Sequence, residues 1–469
     1  MNFYDDIERY SDRVAVTDDS GRDYTYAEIA ETGERICENI HPRSLVFLVC
    51  GNDPASIAAY VGFLRRRIVP VLISPKTDGE LFGQLLAKYS PGYIFCPKEF
   101  YGKGERLTET GEFHLLKTGN APVPVSPELA VLITTSGSTG SPKFVRQSYK
   151  NIDSNSGAIA EYLKITEDDR AITTMPMNYT YGLSIIQSHL LMGARIIATE
   201  KTLMDKGFWS LLKEQEATTF GGVPYIYQML KRLRFGRMEL PSLRYITQAG
   251  GRLSKELGLE FAEICKGKGI EFIIMYGQTE ATARMSYLPW EYAFTKAGSI
   301  GIPIPGGEMY PGDEDGREIT TPGMAGELIY KGDNVALGYA ECAGDLTKGD
   351  EFGGVLRTGD MVVRDEDGYF TVVGRKKRFL KIFGNRVNLD EAEGLLCKNG
   401  FECVCGGRDD MMRIYMVNAD DTALKNAEEF IGEKTGLNRS AFKAISVSEI
   451  PRNDSGKILY SKLEERVET

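Results

Sequence analysis

From about residue 44, short apolar runs alternate with amphipathic stretches. SLVFLV (44–49) reads as a strand, Asp53 to Arg65 as a helix and IVPVLIS (68–74) as the next strand. LAVLITT (129–135), ARIIATE (194–200), LRYITQAG (243–250) and IEFIIMYG (270–277) repeat the strand signal, with helical patterns at Pro224 to Leu233 and Ser254 to Lys266 between them. Continuous apolar runs of strand length, separated by amphipathic helices, predict an α/β fold of layered, largely parallel sheets covered on both faces.

After about residue 298 the pattern changes. GELIYKG (326–332) and GGVLRTGDMVVRDEDGYFTVVG (353–374) are rich in glycine and alternate apolar with polar positions, which predicts a small antiparallel, β-barrel-like subdomain. DEDG (365–368) supplies the Asp and the left-handed Gly of a hairpin turn. GRKKRFLKIFGNRVN (374–388) concentrates positive charge ahead of a helix that Asn388 would cap, with Leu389, Ala392, Leu395 and Leu396 on one apolar face. The boundary is therefore expected near Lys377, giving a large N-terminal domain over 1–376 and a small α+β domain over 377–469.

The chain has 469 residues, a length that suggests about three compact units. Its net charge of −10 and pI near 5.2 argue against a broad nucleic-acid surface, leaving room for a local basic site. The start, MNFYDDIERY, lacks the basic and apolar regions of a signal peptide, and the longest apolar runs fall short of the roughly 20 residues of a membrane helix. Eight dispersed cysteines, with only Cys403 and Cys405 close together, read as reduced thiols. The expectation is a cytoplasmic protein that partners neither membrane nor nucleic acid. Histidine occurs three times, at His41, His114 and His189, and never at a zinc-pair spacing.

Four segments carry candidate chemistry. TTSGSTGSPK (134–143) follows a strand, and six of its ten residues are Ser or Thr. Such a loop surrounds phosphate oxygens with hydroxyls and backbone N–H groups while Lys143 adds a point charge; the plain alternative is a surface turn. It is not a Walker A loop, because Ser-Pro-Lys follows Gly140. YGQTE (276–280) ends a strand, where open α/β sheets bind ligands: an aromatic to stack on a base, a Thr for phosphate and a carboxylate for Mg²⁺, or else an ordinary polar loop. RTGD (357–360) offers a carboxylate for ribose hydroxyls or simply a turn. NDSGK (453–457) presents a lysine able to neutralise charge developing on phosphate, or a solvated loop.

Taken in order, TTSGSTGSPK, YGQTE, RTGD, GRKKRFLK and NDSGK resemble the acyl-adenylate-forming superfamily of acyl- and aryl-CoA ligases, nonribosomal peptide synthetase adenylation domains and firefly luciferase. The resemblance runs from about residue 10 to the C-terminus. It implies ATP and Mg²⁺ as cofactors, with Thr135, Ser136, Gly137, Ser138, Thr139, Gly140 and Lys143 on the β- and γ-phosphates. Gly250 and Gly251 would admit the adenine, Tyr276 would stack on it, and Gly277 would also belong to the cofactor-binding residues. Thr279 would meet the α-phosphate, Glu280 would bind Mg²⁺, and Asp360 and Arg375 would grip the ribose. Lys457 would bridge carboxylate and phosphates, Lys377 would be the hinge, and Gly384 would lie in a loop that enters for thioester formation.

The implied reaction is activation of a small carboxylic acid as its acyl-adenylate, followed by transfer to a thiol. The acceptor would be coenzyme A or the phosphopantetheine of a carrier protein acting in trans, since no carrier-like sequence lies within the chain. In PMNYTYG (176–182), Tyr179 stands where many relatives carry His, and Thr180 where amino-acid-activating domains place an Asp. A hydroxyl cannot pair with an α-ammonium, which disfavours an amino acid substrate. Tyr179, Thr180, Tyr181, Gly182, Tyr225 and Met285 would line the acid pocket, unless some are plain core. The rival readings are a non-catalytic nucleotide- or acyl-binding protein, an amino-acid-adenylating enzyme and a P-loop kinase.

Overall fold

The expected apolar runs become the central strands of two large sheets. The structure is a computed structural model and describes residues 2–100, 102–134, 143–376, 378–383, 385–452, 458–460 and 462–463. Among these, a nine-stranded sheet holds Arg170–Ile172, Arg195–Ile197, Thr219–Gly222, Tyr245–Gln248 and Glu271–Tyr276 in parallel at its middle. An eight-stranded sheet sets Leu45–Val49 parallel to Val69–Ile73 and Tyr93–Pro97. Antiparallel strands close the edges of both, for example Glu105–Thr110 against Phe113–Lys117 and Ser286–Leu288 against Ile302–Pro303.

Helix starts follow local chemistry. Asp53 caps Pro54–Arg65 by accepting from Ser56 N–H, with Pro54 in the first turn, where its missing N–H costs nothing. Ser254 caps Lys255–Lys268, and Gly269 ends that helix in the left-handed region at φ 71°. Thr25 and Glu28 form a reciprocal capping box at Tyr26–Cys37.

Contacts gather the chain into two compact units rather than the three that length suggests. One takes in nearly everything before Glu308 together with Lys331–Leu356; the other takes Met309–Tyr330 and the chain from Arg357 onward. Both large sheets fall in the first because they share one core. Val46 and Leu48 of one sheet, Ala171 and Ile196 of the other, and Ile57, Tyr60 and Ile186 of the intervening helices belong to a single buried cluster. A layer of helices buried between two sheets cannot be divided without exposing both faces.

In the second unit, Asp360 to Arg364 of the strand Val355–Arg364 pair antiparallel with Phe370–Arg375, and the DEDG turn closes as expected, with Gly368 at φ 84°. The C-terminal part is α+β: Cys403–Arg408, Met411–Val417 and Phe442–Val447 form a sheet packed by Leu389–Lys398 and Asp421–Thr435. Asn388 caps the first of these helices, accepting from the N–H groups of Asp390 and Glu391. The basic run preceding it is only partly a solvated face. Arg378 is mostly buried, ion-paired with Asp390 and Glu393, and its guanidinium carbon lies 4.1 Å from the centre of the Tyr460 ring. The hinge residue expected at Lys377 lies outside the described residues.

Candidate active site

The YGQTE motif sits where the strand Glu271–Tyr276 ends, at the C-terminal edge of parallel strands. Gly277 makes the turn possible. A Cβ there would stand 1.7 Å from the carbonyl oxygen of Ala283, so no other residue fits this approach. Gly277→Ala is expected to lower stability by about 3 kcal/mol, the upper end for overpacking; an unchanged urea midpoint would refute the close packing.

Thr279–Ala281 then forms a single 3-10 turn, and Thr282 follows at φ 64°, a strained position for a β-branched residue. Its surroundings hold it there. Thr282 Oγ1 donates to Asn334 O at 2.7 Å, Gln147 Nε2 donates to the carbonyls of Thr279 and Thr282, and Asn334 Nδ2 donates to those of Ala281 and Arg284. Thr279 and Glu280 are thereby fixed on a braced turn.

Glu280 meets Lys143 through a tyrosine absent from the expected site residues. The strand Phe144–Ser148 pairs with Gly338–Ala340 in a register that sets Tyr339 opposite Val145. Tyr339 Oη donates to Glu280 Oε1 at 2.7 Å, and Lys143 Nζ lies 3.6 Å from the centre of the same ring. Burial raises the Tyr339 phenol and the Glu280 charge raises it further, so it stays a donor. Arg146, wholly buried, locks the register by donating to the carbonyls of Tyr339 and Leu337 and to Glu351 Oε2 at 2.6 Å. A half-buried carboxylate oriented through one oxygen suits an oxygen-ligated divalent cation such as Mg²⁺.

The acid-pocket candidates separate into different roles. Thr180 Oγ1 lies 3.5 Å from Thr279 Oγ1, which joins PMNYTYG to the phosphate turn. Gly250 adopts φ 79°, and a Cβ on it would come within 2.5 Å of Tyr179 Oη; Gly251 lies against Pro224. Burial pushes the Tyr179 phenol up to about 12. Tyr181 instead serves the sheet, its hydroxyl donating to Thr247 O and accepting from Gly222 N–H. Met285 is wholly buried, Tyr225 is 40% exposed on the first turn of Pro224–Arg232, and Gly182 admits the close pass of the Pro176 carbonyl.

In the second unit Asp360 is buried opposite Arg375, whose Nε donates to its Oδ1 at 2.8 Å. Glu327 lies in the same unit; burial would raise it, but Arg357 and Lys376 hold it below the usual carboxylate range. The phosphate-loop residues Thr135, Ser136, Gly137, Ser138, Thr139 and Gly140, and with them Gly384 and Lys457, lie outside the described residues.

The chain belongs to the AMP-binding enzyme family, whose model matches residues 3–340. It is 30% identical over 351 residues to a 2-succinylbenzoate–CoA ligase of Bacillus thuringiensis subsp. konkukian, covering 73% of this chain and 70% of the relative. Its fold is that of O-succinylbenzoate coenzyme A synthetase from Bacillus subtilis in complex with AMP, with a TM-score of 0.81 at 22% identity over 99% of this chain and 98% of that one. An anthranilate CoA ligase in complex with anthranoyl-AMP is similar at a TM-score of 0.78 and 19% identity, over 100% and 97% of the two chains. Among the described residues, no helix is long and apolar enough to cross a membrane.

Proposed function

We infer that the chain is an ATP-dependent, AMP-forming acid–thiol ligase acting on a small carboxylic acid. The observation that carries this reading is Glu280 and Lys143 meeting across Tyr339 beside a braced strand-end turn, in a member of the AMP-binding enzyme family. An acid is already ionised above its pKa of about 4, so no protein base is required. Its oxygen attacks the α-phosphorus of ATP, the bond to the bridging oxygen breaks and pyrophosphate leaves. A thiol then attacks the acyl carbon of the mixed anhydride, and AMP leaves.

Catalysis is positioning and charge neutralisation. Residues 135–140 and Lys143 hold the β- and γ-phosphates, Thr279 orients the α-phosphate, and Tyr276 with Gly250, Gly251 and Gly277 takes the adenine. Asp360, with Arg375 at its side, takes the ribose hydroxyls. Glu280 holds Mg²⁺, which supplies positive charge to the phosphates when bound. Lys457 bridges the two reacting groups, and the chain swivels at Lys377 between the half-reactions.

The relatives' names favour an aryl acid with coenzyme A as acceptor; a carrier protein in trans is the other acceptor of the same chemistry. Eight free thiols favour the cytoplasm. The test is exchange of labelled pyrophosphate into ATP across a panel of carboxylic acids that includes 2-succinylbenzoate. AMP release with coenzyme A or a phosphopantetheinylated carrier then identifies the acceptor. Exchange with no acid would sink the reading.

A further inference from the structure

Asp360 is not placed by regular strand pairing alone. The ladder between Val355–Arg364 and Phe370–Arg375 shifts register between Met361 and Val362, and Gly359, just before Asp360, lies in the left-handed region at φ 73°. Such a bulge re-aims a side chain, and its surroundings must then hold the new direction. Here the hold is explicit. Lys376 N–H donates to Gly359 O at 2.7 Å, Thr358 Oγ1 donates to Leu328 O at 2.9 Å, and Asp360 N–H donates to Thr358 Oγ1 at 3.1 Å. Gly359 N–H donates to Glu327 Oε1 at 3.3 Å.

Glu327 does more than this one bond. It lies on the neighbouring strand Ala325–Lys331 and is 5% exposed. Its other oxygen accepts from Arg357 Nε at 3.0 Å and Nη2 at 2.6 Å, and from Lys376 Nζ at 3.0 Å. Burial acts to raise Glu327, yet its bonds to Arg357 and Lys376 keep it below the usual carboxylate range, so it stays charged. A buried ion pair adds little net stability, because desolvation offsets most of the attraction, but its charge-assisted bonds are short and directional. Their directions matter here. The register sets Asp360 opposite Arg375, and Glu327 bonds Gly359, just before the first, and Lys376, just after the second. One carboxylate thus fixes the neighbours of both residues of the pair.

We propose that Glu327 is a positioning residue for the nucleotide, holding the Asp360–Arg375 pair in the geometry that takes the ribose hydroxyls. This rests on the ligase reading, in which Asp360 takes the ribose, and adds a residue that touches no nucleotide itself. A carboxylate accepts from a hydroxyl only within a narrow range of distance and angle. Slackening the turn therefore loses the ribose bonds while Asp360 is still present.

The test compares dissociation constants of ATP and 2′-deoxy-ATP, each with Mg²⁺, by titration calorimetry. The parent is expected to prefer ATP by about ten-fold or more, as for a hydrogen bond to a charged group, and Asp360→Ala to lose that preference. Glu327→Gln, with Asp360 intact, is expected to bring the ratio down to about two or less. Lys376→Gln removes one half-exposed cation, should fold like the parent, and should lower the ratio by about two- to three-fold. A general loss of folding moves both constants together and leaves the ratio alone. A ratio unchanged in Glu327→Gln, or in Lys376→Gln should Glu327→Gln not fold, overturns the proposal while the loss in Asp360→Ala leaves the ligase reading intact. Equal binding of the two nucleotides by the parent, or a preference that survives Asp360→Ala, takes Asp360 off the ribose and overturns both.

Discussion

Glu280→Gln is expected to lower acid-dependent pyrophosphate exchange by about 10²–10³-fold, the scale set by removing one preorganised electrostatic group from a reacting centre. The substitution preserves volume and can still accept from Tyr339 Oη, which lies 2.7 Å from Glu280 Oε1. What it removes is the negative charge that would hold a divalent cation against the phosphates. The defect should therefore appear as a much higher Mg²⁺ concentration for half-maximal exchange, with thermal stability close to the parent's. Tyr339→Phe separates charge from orientation. It deletes the hydrogen bond, keeps the ring beneath Lys143, and should cost far less than Glu280→Gln. A Glu280→Gln enzyme with normal exchange and normal Mg²⁺ dependence would remove Glu280 from the site.

Much of this organisation was legible in the chain because strand and helix periods are local. The parallel strands announce themselves as apolar runs bounded by Gly, Pro and Asp, and Ser254 and Asn388 announce their helices by cap chemistry. Tyr339 was not legible. It lies in a three-residue strand with no motif of its own, and only its pairing with Val145 brings it between Lys143 and Glu280. Tyr181, Gly182 and Met285 were legible as pocket candidates, but the packing around each was not. PMNYTYG has one periodicity, but the helix Thr180–Leu191 turns Tyr181 into the sheet and leaves Tyr179 beside Gly250. Arg284 follows the same rule in reverse. An arginine within ATARMSY (281–287) looks like a surface residue, and only the tertiary structure shows that nothing negative among the described residues accompanies it inward.

The lysines divide similarly between local and tertiary meaning, and that division predicts the second large effect. Lys457→Ala is expected to lower acid-dependent pyrophosphate exchange by about 10²–10³-fold as well, again the cost of one lost charge at a centre where charge develops. In the adenylation step a carboxylate approaches an α-phosphate that is itself anionic. Two like charges must be brought within bonding distance, and a cation reaching both lowers that barrier without taking part in bond formation. The second step does not bring that carboxylate and phosphate together again. A thiol attacks the acyl carbon and gives up its proton, and AMP leaves with the electron pair of the broken C–O bond as its second negative charge. The two half-reactions should respond differently to the same substitution. Supplied with chemically prepared acyl-adenylate, the Lys457→Ala enzyme should form thioester at a rate near the parent's, while its formation of acyl-adenylate from ATP and acid is nearly lost. Equal loss in both steps would mean that Lys457 supports the fold of the C-terminal domain rather than the transfer. Full exchange by the mutant would mean that another cation neutralises the α-phosphate, and the nearest candidate by sequence motif is Lys143 at the end of the Ser-Gly loop.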